Sequence, residues 1–162
     1  MSFVIGIDSS TTATKAIAVD EAGTVLGVGV REYPFETPAP GWTEQHPSLW
    51  WEGTVGAIRD VLDANGLDGS DVSAIGVTGQ MHGLVMLDDA GEVSRPAQLW
   101  NAQRTSAECD ESRAAVGAEA LVALTGNAAM TGFTAPKIAW VRNHEPANHA
   151  AIAHVMLPKD YV

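Results

Sequence analysis

The chain has 162 residues, 46% of them hydrophobic and 18% charged, with a formal net charge of −11. This is the composition of an ordinary globular protein of one domain's length, able to bury roughly two-thirds of the surface its unfolded form exposes. Only nine Lys and Arg residues stand against twenty Asp and Glu, which argues against nucleic acid as a partner, because phosphate backbones are held by clustered cations. A single cysteine, Cys109, excludes an internal disulfide. No basic segment leads into an apolar run and no stretch approaches the length that spans a bilayer, so the cytoplasm is the expected location and a membrane is not an expected partner.

The residues Phe3-Val4-Ile5-Gly6-Ile7-Asp8 form an apolar strand that ends on a carboxylate and opens into Ser9-Ser10-Thr11-Thr12. Thr14 to Asp20 resumes the strand pattern, which predicts a hairpin whose tip is all hydroxyls. Val25 to Glu32 adds a third strand of an antiparallel meander, with Glu21-Ala22-Gly23 as its turn. Hydroxyls and backbone N–H groups in a tight turn can donate to phosphate oxygens, and an Asp at the strand end can hold the magnesium that travels with them. Ser and Thr are also ordinary turn residues, and an Asp opening a turn can bond its own backbone alone. On the residues of this loop, both readings stand.

From Tyr33 to Gln45 the chain is rich in Pro and Gly (Pro34, Pro38, Pro40, Gly41), which predicts an irregular surface loop. Pro47 suits a helix start, and Trp50, Trp51, Val55, Ile58, Val61 and Leu62 recur at helical spacing until Asn65-Gly66. Trp50 and Trp51 are adjacent, so they face different ways, and both are expected to pack. Val72 to Thr78 reads as a buried strand and Gly83 to Leu87 as another, joined by Gly79-Gln80-Met81-His82, with Asp88-Asp89-Ala90-Gly91 as a hairpin turn. After Trp100 the pattern turns helical. Arg104 to Val116 comes first, then Ala118 to Leu124 closed by Gly126, then Ala135 to Asn143 with Thr134 as N-cap and Pro136 in the first turn, before a last strand from Ala153 to Leu157. Trp140 belongs to the core, and Asn101 and Arg104 read more safely as caps of the following helix than as substrate contacts. Strands followed by a crossover helix and a parallel strand make an α/β domain with a mixed sheet. Pro158 opens a helix in Leu157-Pro158-Lys159-Asp160-Tyr161-Val162 that then stops, which suggests that the chain continues in a longer protein.

Three motifs occur in order: Ile5-Gly6-Ile7-Asp8-Ser9-Ser10-Thr11-Thr12, Gly41-Trp42-Thr43-Glu44-Gln45-His46-Pro47 and Gly79-Gln80-Met81-His82-Gly83. With Leu99-Trp100-Asn101, Arg104, Thr125-Gly126-Asn127, Gly132-Phe133-Thr134-Ala135-Pro136-Lys137 and Leu157-Pro158-Lys159-Asp160-Tyr161, the whole chain resembles the N-terminal part of the FGGY carbohydrate kinases. The Met-His pair resembles the xylulokinase branch rather than the glycerol kinases. The resemblance implies a ribonuclease-H-like fold of the actin and hexokinase kind, in two lobes with ATP and sugar between them, residues 1–162 making an incomplete N-terminal domain. It implies ATP and Mg2+ as cofactors, held by Asp8, Ser10, Thr11, Thr12 and Lys15, with Asp8 on the metal. It implies a sugar site at Met81 and His82, a wall from Trp100, and Gln80 behind them. The implied reaction of the longer protein is phosphorylation of D-xylulose to D-xylulose 5-phosphate. The alternatives are another pentulose or a polyol, or a non-catalytic sugar-binding role, and the parent protein could be a homodimer.

An imidazole donates to and accepts from sugar hydroxyls, while Met and indole faces suit sugar C–H groups. Each assignment has a structural alternative, since His82 can be a hydrogen-bonded turn residue and Met81 core filler. Departures from the family pattern are Ser10, where Gly is common two positions after the Asp, so that a left-handed turn is not expected there, and Ala102, where an Asp often supplies an acceptor near the sugar. The family's general-base Asp and its glycine-rich adenosine segments have no match up to Val162. The chain alone is therefore expected not to turn over, and to expose apolar surface that drives association.

Overall fold

Alternation is the local rule that builds the main sheet. In the first strand Phe3, Ile5 and Ile7 are buried while Val4 and Asp8 are exposed, the period of two of a half-covered sheet. The computed structural model describes residues 2–162. In chain order the strands are β1 (Phe3–Ser9), β2 (Ala13–Asp20), β3 (Val25–Glu32), β4 (Glu44–Gln45), β5 (Val72–Gly79), β6 (Val85–Leu87), β7 (Ala97–Gln98) and β8 (His154–Met156). The helices are α1 (Ser48–Asn65), α2 (Ser106–Val116), α3 (Ala118–Thr125), α4 (Thr134–His144), α5 (Pro146–Ala150) and α6 (Pro158–Tyr161). They divide into two units: the chain up to Phe35 with His46–Gln80 and Pro158–Val162, and Glu36–Gln45 with Met81–Leu157.

The first unit is a four-stranded mixed sheet in the order β3-β2-β1-β5, antiparallel except that β5 runs parallel to β1 after the α1 crossover. This is the expected α/β arrangement. Phe3, Ile5, Ile7, Ala16 and Ala18 bury against Ala57 and Val61 of α1, and each large side chain so buried contributes about 1.5–3 kcal/mol. A Cβ on Gly29 would lie 2.1 Å from the Ala57 carbonyl oxygen, so only glycine lets α1 approach β3 this closely. The helix starts after Pro47, where the Ser48 N–H donates to His46 Nδ1 at 3.3 Å, and stops at Gly66 in the left-handed region (φ 60°). Trp50 is buried and Trp51 is 52% exposed, so the two do face different ways but only Trp50 packs.

The expected buried strand is an exposed one. Ser73 through Thr78 are all exposed, with Ile75 at 54% and Val77 at 40%, because β5 is an edge strand bonded to β1 alone, beyond the strands that α1 covers.

In the second unit Leu84, Met86, Trp140 and Val141 form the core, with Trp42, Ile138 and Ile152 packed on it. The expected strand from Gly83 shortens to β6, which pairs with β8, and the expected loop ends in β4, which pairs with β7. Asp88 closes the predicted hairpin turn, its Oδ1 accepting from the Ala90 and Glu92 N–H groups at 2.9 Å each. Neither Asn101 nor Arg104 caps a helix. Asn101 Oδ1 accepts from the Thr43 hydroxyl at 2.6 Å, while Arg104 lies 3.9 Å over the Trp42 ring and shares the Glu44 carboxylate with Arg95. The pull of a buried carboxylate on two guanidinium groups outweighs a cap. Thr134 is likewise not the N-cap but the first helical residue after Phe133, its hydroxyl spent on the His82 carbonyl. Ala102 is fully buried. No helix among the described residues is long and apolar enough to cross a membrane.

Candidate active site

Two turns carry the candidate residues, one in each unit. In the first unit the β1–β2 hairpin closes at its tip with the Ser10 N–H donating to the Ala13 carbonyl at 2.9 Å and the Ser10 hydroxyl donating to the same oxygen at 2.8 Å. Among non-glycine described residues only His82 has positive φ, so Ser10 makes its turn without the left-handed geometry of a glycine, as its identity predicts. The loop is held from beneath by Tyr33, a buried side chain whose hydroxyl donates to the Ser10 carbonyl at 2.9 Å and lies 3.0 Å from the Thr14 hydroxyl, while its N–H donates to the Thr12 carbonyl at 3.0 Å. Burial raises the Tyr33 pKa despite its bonds to Ser9 and Thr14. Gln80 belongs to this group too. Its N–H donates to the Ser9 carbonyl at 2.9 Å and its Nε2 reaches the Ser10 carbonyl at 3.4 Å, leaving a buried Oε1.

The register sets Asp8 directly between Lys15 of β2 and Thr78 of β5, so the three side chains form one row on the open face of the sheet. They border a trough of about 540 Å³ whose floor is Gly6, Gly76, Ile17, Val28 and Val77. Asp8, Thr12 and Lys15 are exposed, and Ser10 and Thr11 are half-buried. No set of three or more His, Cys, Asp or Glu among the described residues could cage a metal. A lone carboxylate beside hydroxyls fits Mg2+ instead, which keeps waters and takes one or two carboxylates together with substrate phosphates. Neither Thr78 nor Tyr33 stands out in the sequence as a site residue. Thr78 depends on cross-strand register, and Tyr33 sits 23 residues from the carbonyl it holds.

In the second unit Met81 is 62% exposed, Trp100 is 47% exposed and His82 is half-buried. His82 is the central residue of a three-residue turn closed by the Gly83 N–H on the Met81 carbonyl at 2.8 Å, with φ 57°. Such turns are rare, and a left-handed non-glycine residue costs on the order of 1–2 kcal/mol. Around it, the ring stacks on Phe133 at 4.1 Å, and the carbonyl accepts from Lys137 Nζ at 2.7 Å and Thr134 Oγ1 at 3.3 Å. The second acceptor of Lys137 is the Gly132 carbonyl, also 2.7 Å away. Gly132 lies so close to the Trp100 carbonyl that an added Cβ would approach it to 2.5 Å. The His82 carbonyl and the Gly132 carbonyl, whose residue packs on the Trp100 backbone, thus share one donor, Lys137 Nζ. A cavity of about 240 Å³ adjoins His82 and Phe133, lined also by Leu121, Asn127 and Pro136.

The electrostatics of this cluster follow from burial. Lys137 is fully buried with no carboxylate paired to it among the described residues, and desolvation, aided by the Arg104 charge, lowers its pKa from 10.5 to about 7. Desolvation and then Lys137 lower the His82 pKa, which favours the neutral imidazole, a form with one nitrogen donating and one accepting.

Residues 3–162 match the N-terminal domain of the FGGY family of carbohydrate kinases, and the chain belongs to that family. Among its relatives, the xylulose kinase of Staphylococcus xylosus is 40% identical over 162 residues, the whole of this chain and 33% of the relative. The xylulose kinase of Escherichia coli K12 is 42% identical over 158 residues, 98% of this chain and 32% of the relative. The crystal structure of xylulose kinase from Rhodospirillum rubrum superposes with a TM-score of 0.92 at 37% identity, covering 98% of this chain and 33% of that one. The chain therefore spans about a third of the length of the relatives it matches, and its fold is that of their N-terminal lobe.

Proposed function

We propose that this chain is the N-terminal part of an ATP-dependent kinase that phosphorylates D-xylulose at its terminal hydroxyl, giving D-xylulose 5-phosphate, in the cytoplasm where ATP is available. The observation that carries this reading is the identity to xylulose kinases, 40% over the whole chain for one and 42% over 98% of it for another. When bound, Mg-ATP supplies the phosphoryl group and much of the charge neutralisation that its transfer requires. Asp8 would hold the metal. The backbone and hydroxyls of Ser10, Thr11 and Thr12, with Lys15, would receive the phosphates, and Thr78 completes their row. Neutral His82 would donate to one sugar hydroxyl and accept from another, with Met81 and Trp100 against the sugar's C–H faces and Gln80 bracing the phosphate turn. The proton of the attacking hydroxyl goes to a base outside residues 1–162. Asp8, committed to metal, cannot serve both roles.

The test is ADP release by the full-length protein with Mg-ATP and D-xylulose, ribulose or glycerol, alongside the same assay on this chain alone. D-xylulose is expected to give the highest kcat/KM and the chain alone none. Preference for another sugar would move the specificity, sugar-dependent ADP from the chain alone would place a base and a nucleotide site within it, and saturable sugar binding without any ADP would favour a binding role.

A further inference from the structure

Something must hold His82 in a conformation its own backbone disfavours. Local bonding is sparse there, a single N–H to carbonyl bond across three residues. Stacking on Phe133 holds the ring but not the peptide. The His82 carbonyl, by contrast, is gripped by two donors from the first turn of α4, one of them a fully buried lysine Nζ. Burying a lysine without a carboxylate is costly, and here the same Nζ also holds the Gly132 carbonyl, whose residue packs on the backbone of Trp100.

Resting on the kinase reading above, we propose that Lys137, seconded by Thr134, is a positioning residue that clamps the His82 carbonyl and so sets the direction in which the imidazole meets the sugar. A hydrocarbon at position 137 would fill the same buried space at lower cost. What the Nζ adds is a fixed link between the His82 turn and the segment against Trp100. The effect belongs to sugar binding and not to the phosphate turn, where Lys137 has no contact.

The experiment compares K137M with wild type in the full-length protein. Expected is a rise of about tenfold or more in KM for the sugar, a KM for ATP within about twofold of wild type, and little loss of kcat. In a His82→Ala background the same substitution should change the sugar KM less than about twofold, because a clamp has nothing left to position. An undiminished rise in that background, or equal rises for sugar and ATP, would show a merely structural lysine and overturn the proposal. Should K137M not fold, Thr134→Val decides, with about a threefold rise in sugar KM expected and no rise overturning. Hydrogen exchange at the Gly83 amide gives a readout independent of activity. It should speed up by about tenfold or more in the variant while the α4 amides keep their protection. If the wild-type protein has no kinase activity the functional reading fails, and the clamp is then judged by Gly83 exchange alone, unchanged exchange refuting it.

Discussion

The two turns solve opposite problems. The hydroxyl turn at Ser10 is unstrained and closes mainly on itself, through two bonds onto the Ala13 carbonyl, with Tyr33 bracing it from a neighbouring segment. The His82 turn is strained and is held from outside, by a lysine Nζ and a hydroxyl 55 and 52 residues away. The Tyr33 brace falls on the Ser10 and Thr12 carbonyls and not on the N–H groups of the turn. If His82 aims its ring at a sugar, as proposed, it gains direction from a conformation that surrounding groups over-determine. Local sequence closes the first turn and folding only braces it, whereas the second requires a finished tertiary structure.

Four measurements would break or sharpen this contrast. The largest effect is expected from Asp8→Asn in the full-length protein. This removes the exposed carboxylate of the proposed phosphate row and should lower kcat by about a hundredfold to a thousandfold, with the thermal midpoint nearly unchanged. A large fall in midpoint instead would make Asp8 a structural residue.

Next comes the pH dependence of the strained turn. Lys137 titrates near 7 when folded and at 10.5 when free, so between those values the unfolded chain binds the extra proton. Stability at this site is therefore lowest below pH 7 and rises with pH across the window. Urea unfolding of wild type should gain on K137M by up to about 1.4 kcal/mol per pH unit. A constant difference from pH 7 to 9 would mean that the lysine is not held neutral.

Tyr33→Phe should cost about 1–2 kcal/mol and raise KM for ATP severalfold, by releasing the Ser10 and Thr14 oxygens from their shared hydroxyl. An unaltered KM would detach the brace from phosphate binding. The smallest effect is a gain. Gln98, fully buried with neither amide atom hydrogen-bonded, lies next to Leu84 in the unit that carries His82. Gln98→Leu should therefore raise stability by about 1 kcal/mol, read as a higher thermal midpoint, and a lower midpoint would imply that the amide holds water or a ligand.

Much of this was legible from residue order. The meander, the α1 crossover with its Gly66 stop, the Asp88 hairpin and the run of motifs from Asp8 to Lys137 follow from alternation, helical spacing and turn chemistry. The misreadings share a cause. Val72–Thr78 carries the apolar run of a buried strand, yet burial belongs to whatever packs on a strand, and β5 sits at the sheet edge. Thr134 and Arg104 have the chemistry of caps, but long-range acceptors, the His82 carbonyl and the Glu44 carboxylate, outweigh a local N–H.

Residue order alone settles the α/β class and the family and marks the two loops that carry the candidate residues, because those depend on short-range spacing and on side-chain types that few alternatives can supply. Folding adds the row of Lys15, Asp8 and Thr78, the brace from Tyr33 and the grip of Lys137 on His82. Each of these joins groups that meet only through strand register or a helix packed into place, and neither register nor packing is written in any local stretch of chain.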